Sequence, residues 1–178
     1  MDCTYKEFDN TLTSNLEEDH TKVKCIEKLE GTDFIYGGLN LIKGFTEVDK
    51  AYQLVKLLGE SSENVDITYL DADIAKDENF VKHCDSNYTF YATRMTASLY
   101  CKDNTAKWLD AILDMVETFI EDTKEDEPDC KLVFVLDSMS SISEGQEIKN
   151  DEDVSTLLCR LSHHAQEFDY CLILIDNE

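Results

Sequence analysis

The chain has 178 residues, with 39 acidic and 16 basic side chains and a formal net charge of −23. Affinity for nucleic acid comes mainly from Lys and Arg displacing counterions, so this balance argues against DNA binding by the chain alone. The seven cysteines contain no CxxC pair, no apolar run is long enough to span a bilayer, and Met1 to Glu7 is polar and acidic; a soluble protein of a reducing intracellular compartment is expected, with no membrane partner and no zinc or disulfide framework.

Residues Met1 to Asp33 read as an N-terminal arm, partly helical, in which Leu12, Leu16, Val23, Ile26 and Leu29 set a loose helical spacing. Residues 34–178 read as one α/β domain. Phe34 to Gly44 is a Gly-punctuated turn feeding a short apolar strand, and Lys50 to Leu58 has the spacing of an amphipathic helix. Val65 to Leu70 and Tyr88 to Ala92 follow as strands, and Ala106 to Asp122 as a helix with Trp108, Ile112, Met115, Val116, Phe119 and Ile120 along one side. Pro128 closes the acidic segment behind it. The unbroken apolar run of Lys131 to Asp137 argues for a strand buried on both faces, as in a parallel sheet. A helix from Asp153 to Phe168 and a last apolar strand, Cys171 to Ile175, complete a pattern of βαβ units.

The segment Gly44-Phe45-Thr46-Glu47-Val48-Asp49-Lys50-Ala51 occupies the strand–loop–helix position of a phosphate-binding loop, G-x-x-x-x-G-K-[ST]. Gly44 and Lys50 have the spacing, but Asp49 stands for the second Gly and Ala51 for the hydroxyl residue. Asp49 puts a Cβ and a negative charge where a phosphate needs close backbone approach, and Ala51 removes the ligand that would hold Mg²⁺. ATP and Mg²⁺ are therefore disfavoured as cofactors. Three strand ends carry further polar groups: Asp71 and Asp73 after the second strand, Asp137 after the run of Leu132 to Leu136, and Asn177 after Ile175.

Taken in this order, the chain resembles the RecA-like recombinase family, especially the divergent, Shu-complex-like paralogues of the eukaryotic recombinases. Gly37-Gly38-Leu39-Asn40-Leu41-Ile42-Lys43-Gly44 is similar to the family's lead-in to its phosphate loop, Tyr69-Leu70-Asp71-Ala72-Asp73 to its acid-bearing strand, and Val133 to Ile142 to its Walker B strand. The resemblance spans Phe34 to Glu178 and implies a three-layer P-loop NTPase core with a mostly parallel sheet. It casts Asp73 as the vestige of the base, one methylene shorter than the usual Glu, Asp137 as the vestige of the magnesium-holding acid, and Asn177 as that of the γ-phosphate sensor. It also implies that Lys50 and Asp137 face each other across neighbouring strand ends.

Against the family pattern the core is C-terminally short, and Ser143 to Asp153, in the place of the first DNA loop, is acidic. The expectation is a non-catalytic nuclear subunit, a scaffold for another RecA-like subunit or a recombinase in homologous-recombination repair, reaching DNA only through the complex. A weak ATP-binding subunit carried by Lys50, Asp73 and Asp137 is the alternative. A second is a cytoplasmic RecA-like ring subunit of an Elongator-type tRNA-modification complex. His163 and His164 are adjacent on a helix, about 100° apart, and are expected on its surface rather than on a metal. Trp108 is expected in the core, and Tyr88, Phe90, Tyr91 and Tyr100 in a core or subunit interface.

Overall fold

A computed structural model describes residues 22–29, 33–43, 48–60, 64–72, 76–86, 89–93, 108–140 and 151–176. Among them six strands and four helices follow in the order β1 (Val23–Ile26), β2 (Gly38–Lys43), α1 (Val48–Glu60), β3 (Val65–Asp71), α2 (Glu78–Ser86), β4 (Thr89–Thr93), α3 (Trp108–Asp126), β5 (Lys131–Asp137), α4 (Asp151–Glu167) and β6 (Cys171–Asp176). The strands form one sheet in the order β1-β2-β6-β5-β3-β4, and every pairing in it is parallel. Two of the elements were not foreseen. Val23–Ile26, expected to be helical within the arm, is instead the edge strand of the same sheet, in register with Leu39 to Ile42. Helix α2 buries only Phe80 and Cys84, one turn apart, too little to mark a period in the sequence.

Each face of the sheet carries its own apolar layer. Ala51, Leu54, Val55 and Leu58 of α1 and Phe80 and Cys84 of α2 pack on Ile42, Ile67, Tyr69, Val133, Val135, Ile173 and Ile175. On the other face α3, through Leu109, Ile112, Met115 and Val116, and α4, through Val154, Leu158, Leu161 and Ala165, cover Leu41, Leu70, Phe134, Leu136 and Leu174. The chain runs outward from β2 through α1 and α2 to β4, then returns through α3 and α4 to β6. Crossovers that keep one hand while reversing direction must change face, which is why the two helix pairs lie on opposite sides.

The start of β2 depends on two glycines. Gly37 has φ +62°, a conformation costly for residues with a side chain, and its N–H donates to the Tyr170 carbonyl at 3.0 Å. A Cβ on Gly38 would stand 2.8 Å from the carbonyl oxygen of Lys22, which accepts from Leu39 N–H. Behind them Asn40, fully buried, accepts from Ile35 N–H at 2.9 Å and donates to the carbonyls of Ile35 and Leu172. One amide thereby joins the incoming loop to β6.

Candidate functional site

Because all six strands are parallel, their carboxyl ends share one edge. The last register row that crosses the whole sheet reads Ile26, Ile42, Ile175, Asp137, Asp71 and Thr93, with Lys43 and Asp176 paired one residue beyond it. Half of the row is apolar and half polar, and the change falls between β6 and β5. At β5 and β3 the outgoing connections also diverge, β3 leading to α2 on one face and β5 to α4 on the other. Such a divergence opens the crevice in which open α/β sheets hold ligands.

Asp71 and Asp137 are register partners at this point and are 0% and 3% exposed. Tyr69 and Val135, two residues earlier, lie in the α1–α2 layer, so the period-two alternation of the strands turns both carboxylates to that face. The Tyr69 hydroxyl donates to Asp137 Oδ2, and the Tyr91 hydroxyl donates to Asp71 Oδ2 at 2.5 Å. Lys76 joins the two acids. Its backbone N–H donates to Asp71 Oδ2 at 3.0 Å, and its Nζ lies 2.6 Å from Asp137 Oδ2 with the side chain only 13% exposed. The Lys76 ammonium also stands 6.0 Å from the ring centroid of Phe80, within cation–π range.

The local sequence explains the arrangement. Asp77 Oδ1 accepts from Phe80 N–H at 2.9 Å, an N-cap that starts α2 immediately after Lys76 and limits where that residue can go. Phe80 lies edge-on to Tyr69 at 4.9 Å and to Tyr91 at 6.1 Å, while the two tyrosine rings stack 6.4 Å apart. Burial first, and then the neighbouring carboxylate charge, hold the Tyr69 hydroxyl well above its usual range. Tyr91 is likewise raised, by burial first and then by its bond to Asp71. Both phenols therefore stay protonated and act as donors. Two carboxylates about 5 Å apart repel by roughly 3 kcal/mol in a partly screened site, and the ammonium and the two hydroxyls offset this. Removing one partner from a buried ion pair costs about 3–5 kcal/mol.

The sequence-predicted site residues distribute as follows. Asp137 stands at the end of β5 as expected. Asp49 and Lys50 fall in the first turn of α1, their side chains outside the described set, and Ala51 is 1% exposed against the core. Gly44, Asp73 and Asn177 lie outside the described residues, as do Tyr88 and Tyr100, the segment from Ser143 to Asn150 and the Trp108 side chain. Lys50 and Asp137 belong to the same sheet edge, but not to neighbouring strands: β6 separates β2 from β5, a gap of about 10 Å between strand axes. The acid beside Asp137 is Asp71, and Lys76, Tyr69 and Tyr91 complete the cluster. The sequence showed Asp71 and Asp137 as strand-end acids, whereas Lys76, Tyr69 and Tyr91 carried no signal of their part in the cluster. Phe90 is 41% exposed and meets Phe119 at 4.8 Å, whereas Tyr91 turns inward.

A second feature lies on the opposite face. A groove of about 690 Å³ between α3 and α4 is lined by Asp110, Asp114, Glu117, Arg160 and His163 among others. Within it Arg160 pairs with Asp110 at 2.5 Å, and His164 Nε2 lies 3.2 Å from Glu117 Oε1. His164 is not the surface residue expected: its other ring nitrogen meets the buried Tyr170 hydroxyl at 2.8 Å. Among the described residues no helix is long and apolar enough to cross a membrane.

The fold and its edge define an all-parallel α/β domain with a carboxylate pair at a diverging strand junction. No protein-family model matches the chain, and comparison with curated proteins finds no match.

Proposed function

We propose that this chain is a non-catalytic RecA-like subunit that serves as a protein-interaction scaffold in a homologous-recombination DNA repair complex. The observation that carries the non-catalytic half is the Lys76 ammonium seated on Asp137. A magnesium ion arriving with nucleotide phosphates would have to displace it and disturb the two phenol hydrogen bonds beside it. Buried Ala51 supplies no hydroxyl to help.

The RecA-like reading draws support from the order of the pieces along a parallel sheet: the glycine lead-in at the start of β2, then a helix with Lys50 in its first turn and acids closing β3 and β5 at the carboxyl edge. The scaffold reading draws support from charge. A chain of net charge −23 is complementary to a basic protein surface and would reach DNA only through such a partner, another RecA-like subunit or a recombinase.

Calorimetric titration with Mg-ATP is expected to show no saturable binding below about 1 mM. Micromolar binding that Lys50→Ala abolishes would overturn the non-catalytic reading in favour of a weak ATP-binding subunit. Affinity purification from cells tests the process: a recombinase-type subunit is the expected companion, and recovery of tRNA-modification subunits in its place would overturn the assignment to recombination.

A further inference from the structure

The helices on the two faces of the sheet differ sharply in charge. Helices α3 and α4 carry eleven carboxylates against one lysine and one arginine. On the opposite face α1 and α2 carry four carboxylates against three lysines. The groove of about 690 Å³ lies between the two acidic helices, and ligand sites span about 300–1,000 Å³. Asp110, Asp114 and Glu117 follow one another at helical spacing on α3, so a single stripe brings three carboxylates to the groove, and Glu167 of α4 adds a fourth. Arg160 is the one Arg or Lys in the lining. Its guanidinium is seated on Asp110 at 2.5 Å, with the two side chains 48% and 38% exposed. A partly exposed carboxylate that holds the chain's own guanidinium is open to one from outside, and the planar fork matches a carboxylate better than an ammonium does.

We propose that the α3–α4 groove is the docking site for an arginine-bearing segment of a basic partner protein, and that Arg160 is the internal group with which this segment competes. Charge complementarity selects the face: the nearly balanced helices α1 and α2 offer a basic partner little, whereas the acidic layer steers it toward the groove. Within the groove the carboxylate stripe supplies the acceptors, and the partner's guanidinium groups replace Arg160 on Asp110 and extend along Asp114 and Glu117. The inference rests on the scaffold half of the proposed function and gives it a surface.

The probe is a fluorescein-labelled hexa-arginine peptide, followed by fluorescence anisotropy at about 0.15 M salt, where charges more than about 8 Å apart are largely screened. Variants of equal charge change are compared in pairs. Arg160→Gln removes the internal competitor and is expected to tighten binding at least about fivefold. Its control Lys56→Gln, on α1 with the lysine 65% exposed, is expected to change binding less than about twofold. Asp114→Asn/Glu117→Gln is expected to weaken binding at least about tenfold, and its control Glu60→Gln/Glu78→Gln, on the exposed sides of α1 and α2, less than about twofold. Equal effects within either pair of folded variants would overturn the proposal, as would weaker binding by Arg160→Gln or no saturable binding by either the wild type or Arg160→Gln. A hexa-lysine peptide that binds as tightly as hexa-arginine would overturn the guanidinium assignment. Should the double variant in the groove fail to fold by circular dichroism, the comparison of Arg160→Gln with Lys56→Gln decides alone. Recovery of tRNA-modification subunits from cells would sink the recombination reading without moving these isotherms, so the two failures are distinguishable.

Discussion

Tyr69 and Tyr91 carry hydroxyls that donate to buried carboxylates, and Tyr170 carries one that meets His164 inside the fold. All three are held above their ordinary value of 10.0, chiefly by burial. A group whose pKa is raised by folding contributes stability that is fully present below its unfolded value and is lost as pH rises beyond it. Stability should therefore decline as pH rises past about 10, with the phenolates forming only as the chain unfolds. Absorbance at 295 nm and far-UV circular dichroism, recorded together, check this. For the folded protein near pH 10.5, Tyr69→Phe should leave the tyrosinate signal unchanged and lower only the jump on unfolding. A loss of signal in the folded state would mean that Tyr69 titrates freely. The sequence could not reveal this role, because Asp71 and Asp73 are equivalent in composition. The register of β3, which ends on Asp71 directly beside Asp137, is what identifies Asp71.

Among the elements, β2 begins at a close backbone approach. Its first residue touches the carbonyl and side chain of Lys22 through a glycine, and β1 enters the sheet over that contact. Gly38→Ala forces the Lys22 backbone to move, because the obstruction is a carbonyl oxygen rather than a flexible side-chain tip. The expected cost is about 1–3 kcal/mol, read as a lower denaturation midpoint in urea with the slope preserved. An unchanged midpoint would show that β1 yields freely. The same element shows how the sequence misleads. Val23 and Ile26 are three residues apart, which matches a helical stripe, yet they lie in a four-residue edge strand. A strand that short has no room to display its period of two. By contrast β5 was legible at once, since its apolar run reflects burial on both faces of a parallel sheet.

At the scale of the molecule, the two layers share one sheet and should open together. Cys84 lies in the α1–α2 layer and Cys171 on β6 in the middle of the sheet. Burial pushes the thiol of each up to about 12, with nearby Asp85 adding to the effect at Cys84. Cys25 is exposed on β1. Alkylation by iodoacetamide near pH 8, mapped by mass spectrometry, should modify Cys25 at least about a hundredfold faster than Cys84 or Cys171. The two slow residues should react at one shared rate, that of global opening. Unequal rates would show that α2 opens separately from the central strands, since both thiols lie in the α1–α2 layer.

The sequence by itself determined the α/β class, most of the strands and long helices, and the acidic balance, because hydrophobic period and local chemistry are properties of neighbouring residues. Tertiary structure alone decided that β6 stands between β2 and β5, that Asp71 is the acid beside Asp137, and that Lys76 bridges the two. Those facts depend on strand order and face, which bring together residues far apart in the chain, and no local pattern encodes the distance between them.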